Sequence, residues 1–100
     1  MFKDEPKDTS VLYGHSTSLP CLATGFPAPQ IIWMKKSSDD FFEPIQLSNR
    51  VQQLNNGTLH ITMTTGPDDG EYACKAFFDT KQPVIIPPKM SRTAHIKVKG

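Results

Sequence analysis

Asp68-Asp69-Gly70-Glu71-Tyr72-Ala73-Cys74 is the stretch that decides how this 100-residue chain is read. It closes on the second of two cysteines. Cys21 precedes Cys74 by 53 residues, and the single tryptophan, Trp33, lies between them. Around these residues the side chains alternate with the period of two that belongs to β-strands. Tyr72, Cys74 and Ala76 share one side of a strand over 71–78. Ile31 and Trp33 share a side of 30–35, and Leu19, Cys21 and Ala23 one of 16–24. Leu59 and Ile61 do the same in 58–64, and Ala94, Ile96 and Val98 in 93–99. Shorter strands are expected near 3–5, 9–13, 43–47 and 51–54. Asn55-Asn56-Gly57 is a turn signal, because Asn and Gly both accept positive φ. No stretch carries the period of a long amphipathic helix, so the chain reads as all-β.

Three segments, in this order, resemble the intermediate, or I-set, immunoglobulin domains. Gly25-Phe26-Pro27-Ala28-Pro29-Gln30-Ile31-Ile32-Trp33-Met34-Lys35 is similar to that family's second loop and third strand. Asn56-Gly57-Thr58-Leu59-His60-Ile61 is similar to one of its turns and the strand that follows. Asp68-x-Gly70-x-Tyr72-x-Cys74 is similar to its penultimate strand. The resemblance covers nearly the whole chain. It implies an immunoglobulin-like, two-sheet antiparallel Greek-key sandwich. It implies a disulfide between Cys21 and Cys74 that ties the sheets, Trp33 packed over it, and Tyr72 pinning a corner. Leu59 and Ile61 belong to the same structural core.

The resemblance also implies a salt bridge between Arg50 and Asp68 that closes one end of the sandwich and serves stability. In I-set domains the first strand crosses from one sheet to the other. Pro6 is placed to divide that strand, and Pro20 then lies where part of 16–24 has no neighbour to bond. Two features depart from the family pattern. Thr64 stands where an apolar residue is usual, and the segment before 93–99 is long and apolar.

Composition excludes more than it specifies. One hundred residues is the size of one domain with one core. The expectation is a single domain over 1–100, cut from a longer multidomain chain with Met1 added. Met1 is followed at once by Phe2-Lys3-Asp4-Glu5, which is no apolar leader. Eleven basic against ten acidic residues give a net charge of +1, which gives no reason to expect nucleic acid. There is no apolar run of about 18 residues to insert in a membrane.

Catalysis, metals and cofactors find no support. There is no Cys-x-x-Cys, no paired histidine spacing and no glycine-rich phosphate loop. His15 falls in a turn, and His60 and His95 point outward from different sheets, away from any nucleophile. A disulfide suits an oxidising compartment, so the expected setting is extracellular, at the cell surface. Asn56-Gly57-Thr58 is an N-glycosylation acceptor sequence in an exposed turn. It reads equally well as a plain turn before a strand.

Recognition is left to the outward faces. Parity fixed by Trp33 and Cys74 turns Ile32, Met34, Ala73 and Phe77 outward on adjacent strands. Phe26, Phe78, Val84, Ile85, Ile86 and Met90 extend that apolar surface at one end. Such patches mark interaction sites. The other readings of 84–86 are a segment folded back over the strands and the start of a longer last strand. The functional expectation is a non-enzymatic, protein-binding module of a receptor or adhesion protein, homophilic or heterophilic. The alternatives are an intracellular spacer in a cytoskeletal or muscle scaffold, and an accessory domain of a secreted enzyme.

Overall fold

The structure, a computed structural model, describes residues 2–25, 28–78 and 86–100. The strands are β1 (Phe2–Asp4), β2 (Thr9–Leu12), β3 (Thr17–Leu19), β4 (Leu22–Ala23), β5 (Gln30–Lys36) and β6 (Phe42–Pro44). They are followed by β7 (Val51–Gln53), β8 (Leu59–Ile61), β9 (Gly70–Phe77), β10 (Lys89–Met90) and β11 (Ala94–Lys99). One turn of 3-10 helix, Gly66–Asp68, leads into β9. One sheet runs in the order β2-β11-β9-β5-β6, with β10 also paired to β9. The facing sheet runs β3-β8-β7, and β1 pairs with β4. The two layers form the sandwich of an immunoglobulin-like fold.

The first strand changes partner across 5–8. Phe2 lies opposite Ala23, whereas β2 runs parallel to β11, with Thr9 opposite Ile96 and Lys99 opposite Leu12. Pro6 is fully buried at the crossing. Acidic side chains on either side of it bond the last strands: Glu5 accepts the Arg92 N–H and Asp8 the His95 N–H, both at 2.9 Å. The expected strand over 16–24 is broken into β3 and β4, because Pro20 has no N–H to donate.

Cys21 and Cys74 are bonded, with Cα atoms 6.5 Å apart. Constraining a loop of this length in the unfolded chain stabilises the fold by roughly 4 kcal/mol. Leu19, Leu59, Ile61, Tyr72 and Ile96 pack around the bridge with Trp33. The buried Trp33 indole donates to the Gly57 carbonyl at 2.7 Å, since a buried N–H without a partner is costly. That bond explains Gly57. Its φ is +94°, and a Cβ there would stand 2.2 Å from the Cys21 carbonyl oxygen. Only glycine lets the turn approach this closely.

Two elements differ from expectation. The strand over 58–64 stops at Ile61, because Met63 takes a left-handed φ of 51° and turns Thr64 inward. Thr64 is fully buried, and its hydroxyl lies 2.9 Å from the His15 carbonyl and 3.1 Å from that of Leu12. A threonine at an apolar position is therefore the clasp of the β2–β3 turn. The last strand begins earlier than 93, at β10, and is interrupted at Ser91. There the Ser91 hydroxyl accepts the Cys74 N–H at 2.9 Å, replacing a ladder bond.

Candidate recognition face

The candidate site is the outer side of the β5–β6–β9 sheet. Its register places Gln30 opposite Phe77, Ile32 opposite Lys75 and Met34 opposite Ala73. Pro44 and Phe42 extend the face, opposite Met34 and Lys36, and Met90 lies opposite Lys75. Ile32 is 36% exposed and Met90 44%; Met34, Phe42 and Phe77 are half-buried. The result is an apolar stripe interrupted by cations. Lys36 pairs with Glu71 at 3.1 Å and lies 5.9 Å from the centroid of the Phe42 ring, so its charge is held at the border of the stripe.

Ala73 corrects an expectation. It lies on the outer side by parity, yet it is 1% exposed. Its methyl is too short to rise above its larger neighbours, Met34 among them. Ile32, Met34 and Phe77 are brought together; Phe78 follows directly at the end of β9, and it and Ile86 are half-buried. Phe26, Val84 and Ile85 lie outside the described residues. Sequence reading missed Phe42 and Pro44, and it placed Met90 in a loop rather than on the short strand β10. Phe42 and Pro44 were hidden by the expected edge strand at 43–47, since the strand starts at Phe42.

One end of the sandwich is closed by polar chemistry. Arg50 and Asp68 form a two-pronged pair, Nη1 to Oδ2 at 2.7 Å and Nη2 to Oδ1 at 3.1 Å. The Arg50 Nη1 is also 3.2 Å from the Thr62 carbonyl, and the Thr65 N–H donates to Asp68 Oδ2 at 2.8 Å. Burial pushes the Asp68 carboxyl upward, but the Arg50 and Thr65 hydrogen bonds outweigh it and hold it below the ordinary value. The Arg50 guanidinium is raised in turn, chiefly by its bond to Asp68. The Tyr72 hydroxyl donates to the Asp68 carbonyl at 2.6 Å, and burial pushes that phenol well up.

Nearby, Asp69 accepts from the Val98 N–H at 2.9 Å and lies 3.0 Å from His95 Nε2. The His95 bond, then that of Val98, lowers its carboxyl. Among the described residues, no group of three or more His, Cys, Asp or Glu is placed to hold a metal ion. The exposed His95–Asp69 pair has no nucleophile set against it by any of these bonds.

A disulfide-tied two-sheet sandwich with Trp33 on the bridge and a tyrosine corner defines the class, and the family model for the immunoglobulin domain matches residues 2–77. The chain belongs to that family. Over 80 residues it is 39% identical to the cell adhesion molecule DSCAM of Homo sapiens, a match covering 78% of this chain and 4% of that protein. Over 75 residues it is 41% identical to the inactive tyrosine-protein kinase 7 of Gallus gallus, covering 75% of this chain and 7% of that one. The chain thus spans a small part of the length of these curated relatives. The crystal structure of the N-terminal Ig1-2 module of the Drosophila receptor protein tyrosine phosphatase DLAR superposes with a TM-score of 0.82 at 26% identity. That match covers all of this chain and 45% of that one.

Proposed function

We propose that this chain is a non-enzymatic recognition domain of a multidomain adhesion molecule or receptor, exposed outside the cell. We place its protein-binding surface on the outer face of β5, β6 and β9. The observation that carries the reading is the row Ile32, Met34 and Phe77, with Phe42, Pro44 and Met90 beside it. Apolar side chains gain nothing from standing on the solvent side of a sheet whose inner side already supplies the core. Contiguous groups of them mark interaction sites, and aromatic residues and methionine are enriched at the centres of interfaces. The relatives support the parent class: one is named a cell adhesion molecule, another a kinase that is inactive. The small share of their length that this chain spans supports a multidomain parent.

The test is a binding or sedimentation measurement on folded variants. Phe77→Asp and Ile32→Asp should weaken partner binding or self-association, with the Cys21–Cys74 bridge still formed. Changes at Gln52 and Thr62 should leave association unaltered. Wild-type binding by both apolar-face variants would move the site elsewhere.

A further inference from the structure

The turn between β7 and β8 contains more than the fold uses. Gly57 is required by its φ and by the close approach to Cys21. Asn56 Oδ1 accepts the Thr58 N–H at 3.0 Å, a bond that aspartate would make equally well. The turn asks of Thr58 only its backbone N–H and carbonyl, the latter accepting from Leu54 N–H at 2.8 Å. Among the described residues, neither the Thr58 hydroxyl nor Asn56 Nδ2 has a hydrogen-bond partner in the fold. Asn56 is exposed. Beside it opens a groove of about 390 Å³, lined by Leu22, Ala23, Pro29, Gln53 and Asn55 among others.

We propose that Asn56 carries an N-linked glycan whose first sugar lies along this groove. The proposal rests on the extracellular reading above. The two groups that the fold leaves idle are the two that an Asn-x-Thr acceptor requires, the amide nitrogen and the hydroxyl two residues on. The groove offers Leu22, 41% exposed, and Pro29 to the C–H faces of a sugar, and Gln53 and Asn55 to its hydroxyls. In the transfer, Asn56 Nδ2 bonds to the anomeric carbon of a lipid-pyrophosphate-linked oligosaccharide. The bond from that carbon to the pyrophosphate oxygen breaks, the lipid pyrophosphate departs, and the amide gives up one proton. No oxidant or reductant is involved. The glycan would project from the β3-β8-β7 sheet and leave the face of Ile32, Met34 and Phe77 open.

The experiment is intact-mass measurement of the chain secreted from eukaryotic cells. Wild type and Thr58→Ser should each carry the mass of one glycan, removable by an amidase that leaves aspartate at 56. Thr58→Val and Asn56→Asp, which keep the turn's hydrogen bonds, should carry none. Removing the glycan should lower the melting temperature of wild type and leave that of Leu22→Ser unchanged; an equal fall in both overturns the groove placement. A bare Asn56 in protein whose Cys21–Cys74 bridge has formed overturns the glycan alone. Free thiols in protein taken from its natural source overturn the extracellular reading, and the glycan with it.

Discussion

The two sheets bury matching inner faces and present opposite outer ones. On β3, β8 and β7 the outward residues Ser18, His60 and Gln52 are cross-strand neighbours, and Ser18 Oγ lies 2.7 Å from His60 Nδ1. On β5 and β9 the outward residues include Ile32, Met34 and Phe77. The core cannot explain the difference, because both sheets meet it equally through Leu59 and Ile61 on one side and Trp33 and Tyr72 on the other. A strand with one solvated side is free to be polar there; Ser18, His60 and Gln52 take that option, whereas β5 and β9 set Ile32, Met34 and Phe77 among Gln30, Lys36 and Lys75. The apolar outer face is therefore a property added to the fold, and function is the natural place to look for its cause.

The largest expected effect removes the frame in which the two faces can be compared. Replacing Cys21 and Cys74 together by alanine should cost about 2–5 kcal/mol, read from denaturant midpoints. Both sheets should loosen together, since the bridge is the disulfide that joins them. A negligible shift would mean that packing alone holds the layers.

Next in size is the contrast itself. Phe77→Asp on the apolar face should cost about 2 kcal/mol or more of binding free energy if it is an anchor, or roughly 30-fold in Kd. Thr62→Asp, on the other sheet's side, should change affinity by far less. Equal losses at both positions would dissolve the distinction between the faces.

A smaller effect concerns the polar clasp between the sheets. Arg50 leads into β7 and Asp68 into β9, so their pair joins the two layers at one end. Arg50→Ala and Asp68→Ala should each destabilise by roughly 1–3 kcal/mol, the lower end being favoured because the Arg50 side chain is 37% exposed. The double variant should lose about 1 kcal/mol less than the sum. Asp68 is depressed in the folded state, so its contribution is present above an unfolded carboxylate value of about 3.9. It is lost as pH falls below that toward the folded value. Asp68→Asn should flatten this acid limb of a stability–pH curve, and coupling near zero would refute the clasp.

Legibility followed the period of the side chains. Strands were visible where alternation and burial coincide: Leu59 and Ile61 point in, His60 out, with Ala73 on β9 the exception. Thr64 was not legible, since a buried threonine looks like a solvent residue until the carbonyls of Leu12 and His15 are beside it. The outward row on β5 could be read from Trp33 alone. Its extension through Phe42 and Pro44 depended on the start of a three-residue edge strand, where a shift of one residue reverses which side chains face out. Ser91 was hidden for a similar reason. A strand break that substitutes a side-chain hydroxyl for a ladder bond leaves no periodic trace.

The smallest effect tests the quiet face. Ser18 and His60 are directly opposite on β3 and β8, and their side chains meet at 2.7 Å in the open. Cross-strand pairs of this kind contribute about 0.2–1 kcal/mol. They do so against solvent that satisfies either partner nearly as well. Ser18→Ala and His60→Ala should therefore lower stability by no more than that, and together by less than the sum, because either change removes the same contact. Neither should alter association, since no apolar area is added or lost at Ile32, Met34 or Phe77. A thermal melt and a binding titration on the same two variants separate the outcomes. Small stability losses with unchanged affinity would keep the polar face as solvated sheet. Affinity that falls with either substitution would make Ser18 and His60 contact residues, and the proposed division between a binding face and a passive one would fail.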